Sequence, residues 1–323
     1  MAWTLVRAGN ASVIVRRCGS VEMVHEVSWV VSDATSDLDL RGERDRTTAL
    51  RSCGKPFQIA ALLDGGLAEV VHDSDALALM GSSHNGEDWH VEKVLSLLSD
   101  NGLSETDLLC GTHEPYRSWV ARRPASNNCS GKHAAMLILS GHRGWGTNNY
   151  VDPSHPVQQL IKRSLQSQFP ATLIPGIDGC GAPTYAVQLN ELARSYAQLA
   201  NKASMGLGLM HDAYRTSPSF LGGTDRIETH LNKSYDVLAK PGSDGLWAAA
   251  LPGKGLGLAV KVDSGNENAA SLVALTLLEH MNILSIDSDP EIKRLLEWDL
   301  TTCNGKPAGT IDVTWTDDLL HTV

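Results

Sequence analysis

No stretch of the chain approaches the roughly 18 consecutive apolar residues of a membrane-spanning helix, so a bilayer partner is not expected. Runs of lysine or arginine are missing too. The net charge is −10, from 37 acidic against 27 basic residues, which argues against a nucleic-acid partner. Met1 to Arg7 lack the long apolar segment of a secretion signal, so the cytoplasm is the expected location. Internal repeats and low-complexity tracts are absent, and no Cys-x-x-Cys or His-x-x-x-His pair occurs. The six cysteines, Cys18, Cys53, Cys110, Cys129, Cys180 and Cys303, are too scattered for a disulfide scaffold. Reduced thiols are expected, some of them open to metal binding.

What is present is the composition of a globular protein long enough to bury a core without such staples. Val21, Met23, Val27, Trp29 and Val31 recur at alternate positions, the period of a half-buried strand. Residues 32–46 are polar and read as a loop. Phe57, Ile59, Ala60, Ala61, Leu62 and Leu63 form a helix apolar almost all round, hence a buried one, which Gly65-Gly66 stops. Further helices are predicted near 75–80, 88–101, 132–143, 155–168, 184–200 and 203–215. Strands return near 234–239, 245–251 and 255–263, followed by helices near 266–282 and 289–298 and a last strand within 305–313. Strands, then helices, then strands again predict an α/β (α+β) fold: an antiparallel sheet from both ends of the sequence with a large helical insert. With no convincing linker, residues 1–323 are read as one catalytic unit, with a sheet part of about 1–50 and 230–323 and a helical part of about 52–225.

Three patterns carry chemistry. Ser52 and Lys55 stand three apart at the head of the buried helix, one turn apart on one face, and Pro56 fixes the helix start. A lysine that burial or a neighbouring cation deprives of its proton can activate a serine hydroxyl. The bland reading is a capping serine beside a solvated lysine. Ser83-His84-Asn85 has the form Ser-x-Asn, and Lys261 sits on a late strand whose face is otherwise small (Gly257, Ala259), which leaves room for a ligand beside the ammonium group; together with Ser52-x-x-Lys55 these repeat the layout of the serine β-lactamase signature. Val262-Asp263 break its Lys-x-Gly part. Alone, Ser83 reads as a turn residue and Lys261 as an edge-strand charge. Third, Cys129 and Cys180 lie in tight turns that could offer thiolates to zinc, although spacing alone reads them as small buried thiols.

The segments Arg51-Ser52-x-x-Lys55-Pro56-Phe57-Gln58, Asn127-Asn128-Cys129-Ser130-Gly131-Lys132-His133, Asp178-Gly179-Cys180-Gly181-Ala182-Pro183 and Leu251-Pro252-Gly253-Lys254-Gly255 resemble those of the Rhizobium-type (class 3) L-asparaginases. The resemblance implies a fold similar to serine β-lactamases and glutaminases, and hydrolysis of L-asparagine to aspartate and ammonia by a homodimer. It implies Ser52 as nucleophile with Lys55, a second pair Ser83 with Lys261, and zinc (Zn2+) on Cys129, Lys132 and Cys180. Arg51, His133 and Asp178 match neighbours of that family's site; Arg51 and Asp178 suit a substrate's α-carboxylate and α-amino groups by charge. Cys53-Gly54 and Asn85 depart from the family pattern, which puts rate and selectivity in question. Three readings stay open on the sequence: asparagine or glutamine hydrolysis through serine and lysine, an amidohydrolase whose zinc activates the water, and a non-catalytic zinc-stabilised binding module.

Overall fold

The computed structural model describes residues 11–296 and 300–315. The chain begins with β1 (Ala11–Arg17), β2 (Ser20–Ser32), β3 (Asp37–Arg41) and β4 (Thr47–Ala49). Then come α1 (Lys55–Asp64), α2 (Ser74–Met80), α3 (Asp88–Ser99), α4 (Ser130–His142) and α5 (Pro156–Gln168). Two strands, β5 (Ile174–Ile177) and β6 (Pro183–Gln188), precede α6 (Leu189–Ala200), α7 (Met205–Thr216), α8 (Pro218–Leu221) and α9 (Ile227–Ser234). Last are β7 (Leu238–Pro241), β8 (Leu246–Leu251), β9 (Leu256–Val262), α10 (Glu267–His280), α11 (Pro290–Leu295) and β10 (Thr310–Trp315).

The main sheet runs β10-β1-β2-β9-β8-β7, with β3 also on β2, and every pairing is antiparallel. Strands from both ends of the sequence thus share one sheet, the α/β arrangement expected. Alternation decides its faces. Trp29 and Val31 of β2 and Leu256, Leu258, Val260 and Val262 of β9 pack with α10 in one core. Val30, Ala248, Ala250 and Ala259 point the other way, into the larger core around α1, α4 and α6. A Cβ at Gly257 would lie 2.0 Å from the Ala193 carbonyl oxygen. The small face of β9 therefore receives the backbone of α6 and leaves no room for a ligand, contrary to the space read there from sequence.

Nine of the ten residues of α1 are buried, all but Asp64. Phe57 meets Phe169 and Tyr196 edge-on, with ring centroids 5.8 and 5.2 Å away. Each such fully buried side chain stabilises the fold by about 1.5–3 kcal/mol, so the platform under Ser52 is rigid. Two predicted elements differ. The polar segment 32–46 contains β3, because Asp37 to Arg41 pair with the end of β2 although their alternation is charged and apolar. The helix read over 184–200 is strand β6 up to Gln188 and helix only from Leu189; β4 and β5 flank Thr184 to Val187 and convert that β-branched and aromatic stretch to a ladder. The helix expected to 298 ends as α11 at Leu295, and positions 297–298 lie outside the described residues. No helix among the described residues is long and apolar enough to cross a membrane.

Candidate active site

Ser52 sits in a short 3-10 turn, Arg51–Gly54, that feeds α1. Its position is fixed from both sides. Leu50 N–H donates to the Tyr185 carbonyl (2.8 Å), Tyr196 Oη donates to the Cys53 carbonyl (2.9 Å), and Cys53 Sγ donates to the Lys240 carbonyl (3.0 Å). Arg51 is held at φ 44°, the left-handed region that a non-glycine residue occupies at a cost of about 1–2 kcal/mol. The Ser52 hydroxyl itself has no hydrogen-bond partner among the described residues and faces two cavities, of about 260 and 210 Å³. Cys53, one residue on, is wholly buried, and burial pushes its thiol up to about 12, so it stays neutral. Gly54 packs its missing side chain against Leu50, where a Cβ would come within 2.9 Å.

Lys55 is completely buried, and its Nζ reaches the carbonyls of Ser82 and Asn128 (3.0 Å) and Ser83 Oγ (3.0 Å). Ser83 Oγ lies also 2.8 Å from Lys240 Nζ. One hydroxyl between two buried amines has a single proton to give, so at least one lysine donates to it. Burial, and then the charge of Lys55, bring Lys240 down to about 7. The structure thus brings Lys240 to Ser83, where the sequence suggested Lys261. Lys261 turns outward to the carbonyls of Asp244 and Val262 (2.8 Å) at the end of β9 and makes no hydrogen bond to Ser83. The literal Lys-x-Gly signal was present as Lys240-Pro241-Gly242 at the end of β7.

The smaller cavity is lined by Arg51, Ser52, Asn128, Cys129, Asp178 and Cys180, among others. Sγ of Cys129, Sγ of Cys180 and a carboxylate oxygen of Asp178 lie within 4.8 Å of one another. Lys132 Nζ is 3.9 Å from Asp178 and Arg51 Nε is 3.3 Å from it. Cys129 hydrogen-bonds Cys180, which together with Lys132 brings the Cys180 thiol down to about 5 against its burial. Burial alone would strip the Lys132 proton, but Cys180, Cys129 and Asp178 outweigh it and hold the ammonium well above its ordinary range. Asp178 thus belongs to the thiol cluster as well as to Arg51. His133 lines neither cavity: it is buried in α4 with Nδ1 2.6 Å from Tyr150 Oη, and burial brings it down to about 3. Nothing in this geometry brings His133 to a ligand in either space.

The larger cavity holds Ser83, Asn85, Arg226 and Glu228. Asn85 donates to the Thr224 carbonyl (2.8 Å) and accepts from Arg226 (3.1 Å), which also grips the buried Glu228 at 2.7 Å. No sequence signal marked Arg226 or Glu228. Beneath the Ser83 loop, the rings of His84 and His90 stack at 4.9 Å. Gly86 N–H donates to His84 Nδ1 (3.0 Å), so neutral His84 carries its proton on Nε2, toward Ser130 Oγ. Burial lowers both histidines, His90 to about 4 and His84 well below its ordinary value. Both are neutral in the folded chain, and the unfolded chain takes up their protons as pH falls below about 6.5. Stability is therefore complete above that pH and falls beneath it, by up to about 4 kcal/mol for the two together between pH 7 and pH 5. Urea midpoints measured over that range check this; a flat profile rejects it.

The family model described as L-asparaginase II matches residues 13–313. No curated protein matches the chain. Among solved structures, a β-lactamase from Mycobacterium bovis is similar at 15% identity and TM-score 0.46, over 80% of this chain and 95% of that one. A probable glutaminase from Bacillus subtilis is similar at 13% identity and TM-score 0.38, over 80% of this chain and 84% of that one. A putative β-lactamase from Bacteroides dorei reaches 9% identity and TM-score 0.40, over 85% and 94%.

Proposed function

The chain belongs to the L-asparaginase II family, an amidohydrolase family, and from that premise we propose that it hydrolyses the side-chain amide of L-asparagine, with Ser52 as nucleophile. The observation that carries this reading is Ser83 Oγ held between Lys55 Nζ and Lys240 Nζ, beside a free Ser52 hydroxyl at the meeting of two cavities. In the reactive form the charge of the lysine pair lies on Lys240, and neutral Lys55 takes the Ser52 proton as Oγ attacks the carbonyl. The proton passes through Ser83 to the leaving nitrogen, ammonia departs, and water hydrolyses the aspartyl ester. Lys240 holds the Ser83 oxygen so that its hydroxyl faces the leaving group. The substrate's α-ammonium and α-carboxylate lie in the smaller cavity, against Asp178 and Arg51. Release of ammonia from L-asparagine and L-glutamine, assayed side by side, tests the reading and its amide preference; turnover of neither rejects it.

A second reading has one observation in its favour. Ser83, not Ser52, carries the hydrogen bonds to both lysines, which makes Ser83 the better activated hydroxyl in the resting site. Trapping with a diazoketone analogue of asparagine, which alkylates the attacking hydroxyl with loss of N2, followed by peptide mapping, shows which serine is labelled.

The donor set fits zinc, since two thiols and a carboxylate converge within 4.8 Å with Lys132 alongside. Cys129 and Cys180, with Asp178 beside them, would hold it, and Lys132 would join them only as the neutral amine that a neighbouring dication favours. Bound there, the ion supplies a fixed positive charge at the wall of the smaller cavity. We expect close to one zinc per chain after dialysis and less than about a tenth of that in Cys180→Ser, measured by elemental mass spectrometry. A dialysed wild-type chain without zinc rejects the assignment.

A further inference from the structure

A substrate bound as described above spans both cavities. Its α groups lie in the smaller one, and its leaving nitrogen is turned to Ser83, which lines the larger. Among the described residues, two line both spaces: Ser52 and Ser243. The amide carbon has to reach Ser52 Oγ for the ester to form. The carbon chain between that amide and the α-carbon therefore passes between Ser52 and Ser243.

The two serines are held apart at a set spacing by their own neighbours. Arg51, which precedes Ser52, is paired with Asp244, which follows Ser243. Cys53, which follows Ser52, packs on Gly242, which precedes Ser243; a Cβ at Gly242 would come within 3.0 Å of Cys53 Sγ. The turn that carries Ser243 joins β7 to β8. It is closed by Gly242 N–H donating to the Leu246 carbonyl (2.8 Å) and by Val262 N–H donating to the Gly245 carbonyl (2.9 Å). Ser243 itself is half-buried, and its hydroxyl has no hydrogen-bond partner among the described residues. The backbone of this turn is thus fixed, and the Ser243 side chain is left over as the wall that faces the nucleophile.

We propose that Ser243 determines specificity: the bulk of its side chain sets the length of amide side chain that can bring its carbonyl to Ser52. L-Asparagine and L-glutamine differ by one methylene. A close-packed wall that cannot retreat discriminates one methylene by roughly 10–200-fold. The proposal rests on the asparaginase reading above, with Ser52 as nucleophile.

The test measures kcat/KM for L-asparagine and L-glutamine on the full chain as wild type, Ser243→Ala and Ser243→Thr, following aspartate and glutamate by mass spectrometry. Ser243→Ala removes the hydroxyl from the gap and should move the asparagine-to-glutamine ratio about tenfold toward glutamine. Ser243→Thr adds a methyl group and should move it about tenfold toward asparagine. The ratio is insensitive to loss of folded protein, and a serine with only a structural role would lower both substrates alike. If the wild type forms aspartate alone, Ser243→Ala decides, and glutamate formed by that variant is the expected result. Asparagine turnover with a ratio that either substitution fails to move in its stated direction, or with no glutamate from Ser243→Ala in the aspartate-only case, overturns the inference and leaves the asparaginase reading standing. If the wild type hydrolyses neither amide, both readings fall.

Discussion

Ser52→Ala should lower kcat for asparagine hydrolysis by at least about 10⁴-fold, some 5.5 kcal/mol of barrier, while the melting temperature moves by less than about 3 °C. The two halves of this expectation have separate causes. The activity falls because no ester can form without the hydroxyl, and neither the lysines nor the neighbouring Ser83 restores a nucleophile at that place. Stability holds because the Ser52 hydroxyl has no partner to lose among the described residues, and the turn around it is fixed through the Leu50 amide, the Cys53 carbonyl and the Cys53 thiol. Ser83→Ala removes a group with two buried amines on it and should both slow the reaction and change the titration of those amines. Steady-state ammonia release and thermal melts of the two variants measure both. Near-normal turnover by Ser52→Ala, with Ser83→Ala dead, exchanges the roles of the two serines and favours the second reading.

Much of this was legible in the sequence, and the misses have causes. The α1 helix announced itself by an apolar surface all round, which only a buried position explains, and Pro56 marked where it starts. Alternation located β2 and β9: Trp29 pairs with Val260 on the face that packs against α10, and Val30 with Ala259 on the opposite face. The β6 strand was not legible because Pro183 to Gln188 owe their ladder to β4 and β5, partners outside the local window. Lys261 was expected beside Ser83, where the structure puts Lys240, for a different reason. A late strand with small residues on one face suggested a ligand, but Gly257 and Ala259 are small so that α6 can approach. The turn signal Lys240-Pro241-Gly242 fitted the motif better than Lys261-Val262-Asp263 did. Arg226 and Glu228 could not be found at all, since an ion pair two residues apart at the head of a short helix looks like ordinary surface charge until burial is known.

Lys240→Met should move activity and stability in opposite directions, which separates a catalytic-site lysine from a structural one. Activity should fall about 10²–10³-fold, the range for loss of a group that positions a proton transfer. Stability should rise. The unfolded chain keeps Lys240 protonated up to its ordinary 10.5, whereas burial and the Lys55 charge bring the folded value to about 7. Folding between those values requires release of a proton, so the cost grows as pH falls from 10.5 toward 7 and is constant below 7. At its full extent the difference corresponds to roughly 5 kcal/mol. Methionine is of similar length and carries no charge, so it removes that cost; loss of the contacts to Ser83 and the Pro241 carbonyl offsets part of the gain. A net stabilisation of about 1–3 kcal/mol is expected near pH 6; it shrinks as pH rises and turns into a net loss near pH 10, where the proton cost is gone and only the lost contacts remain. Urea unfolding at several pH values measures it. Lys261→Met, whose amine is turned to the Asp244 and Val262 carbonyls, should keep activity within about twofold. If instead Lys240→Met is destabilised at every pH and Lys261→Met loses the activity, the late-strand lysine is the catalytic one and the cluster at Ser83 is structural.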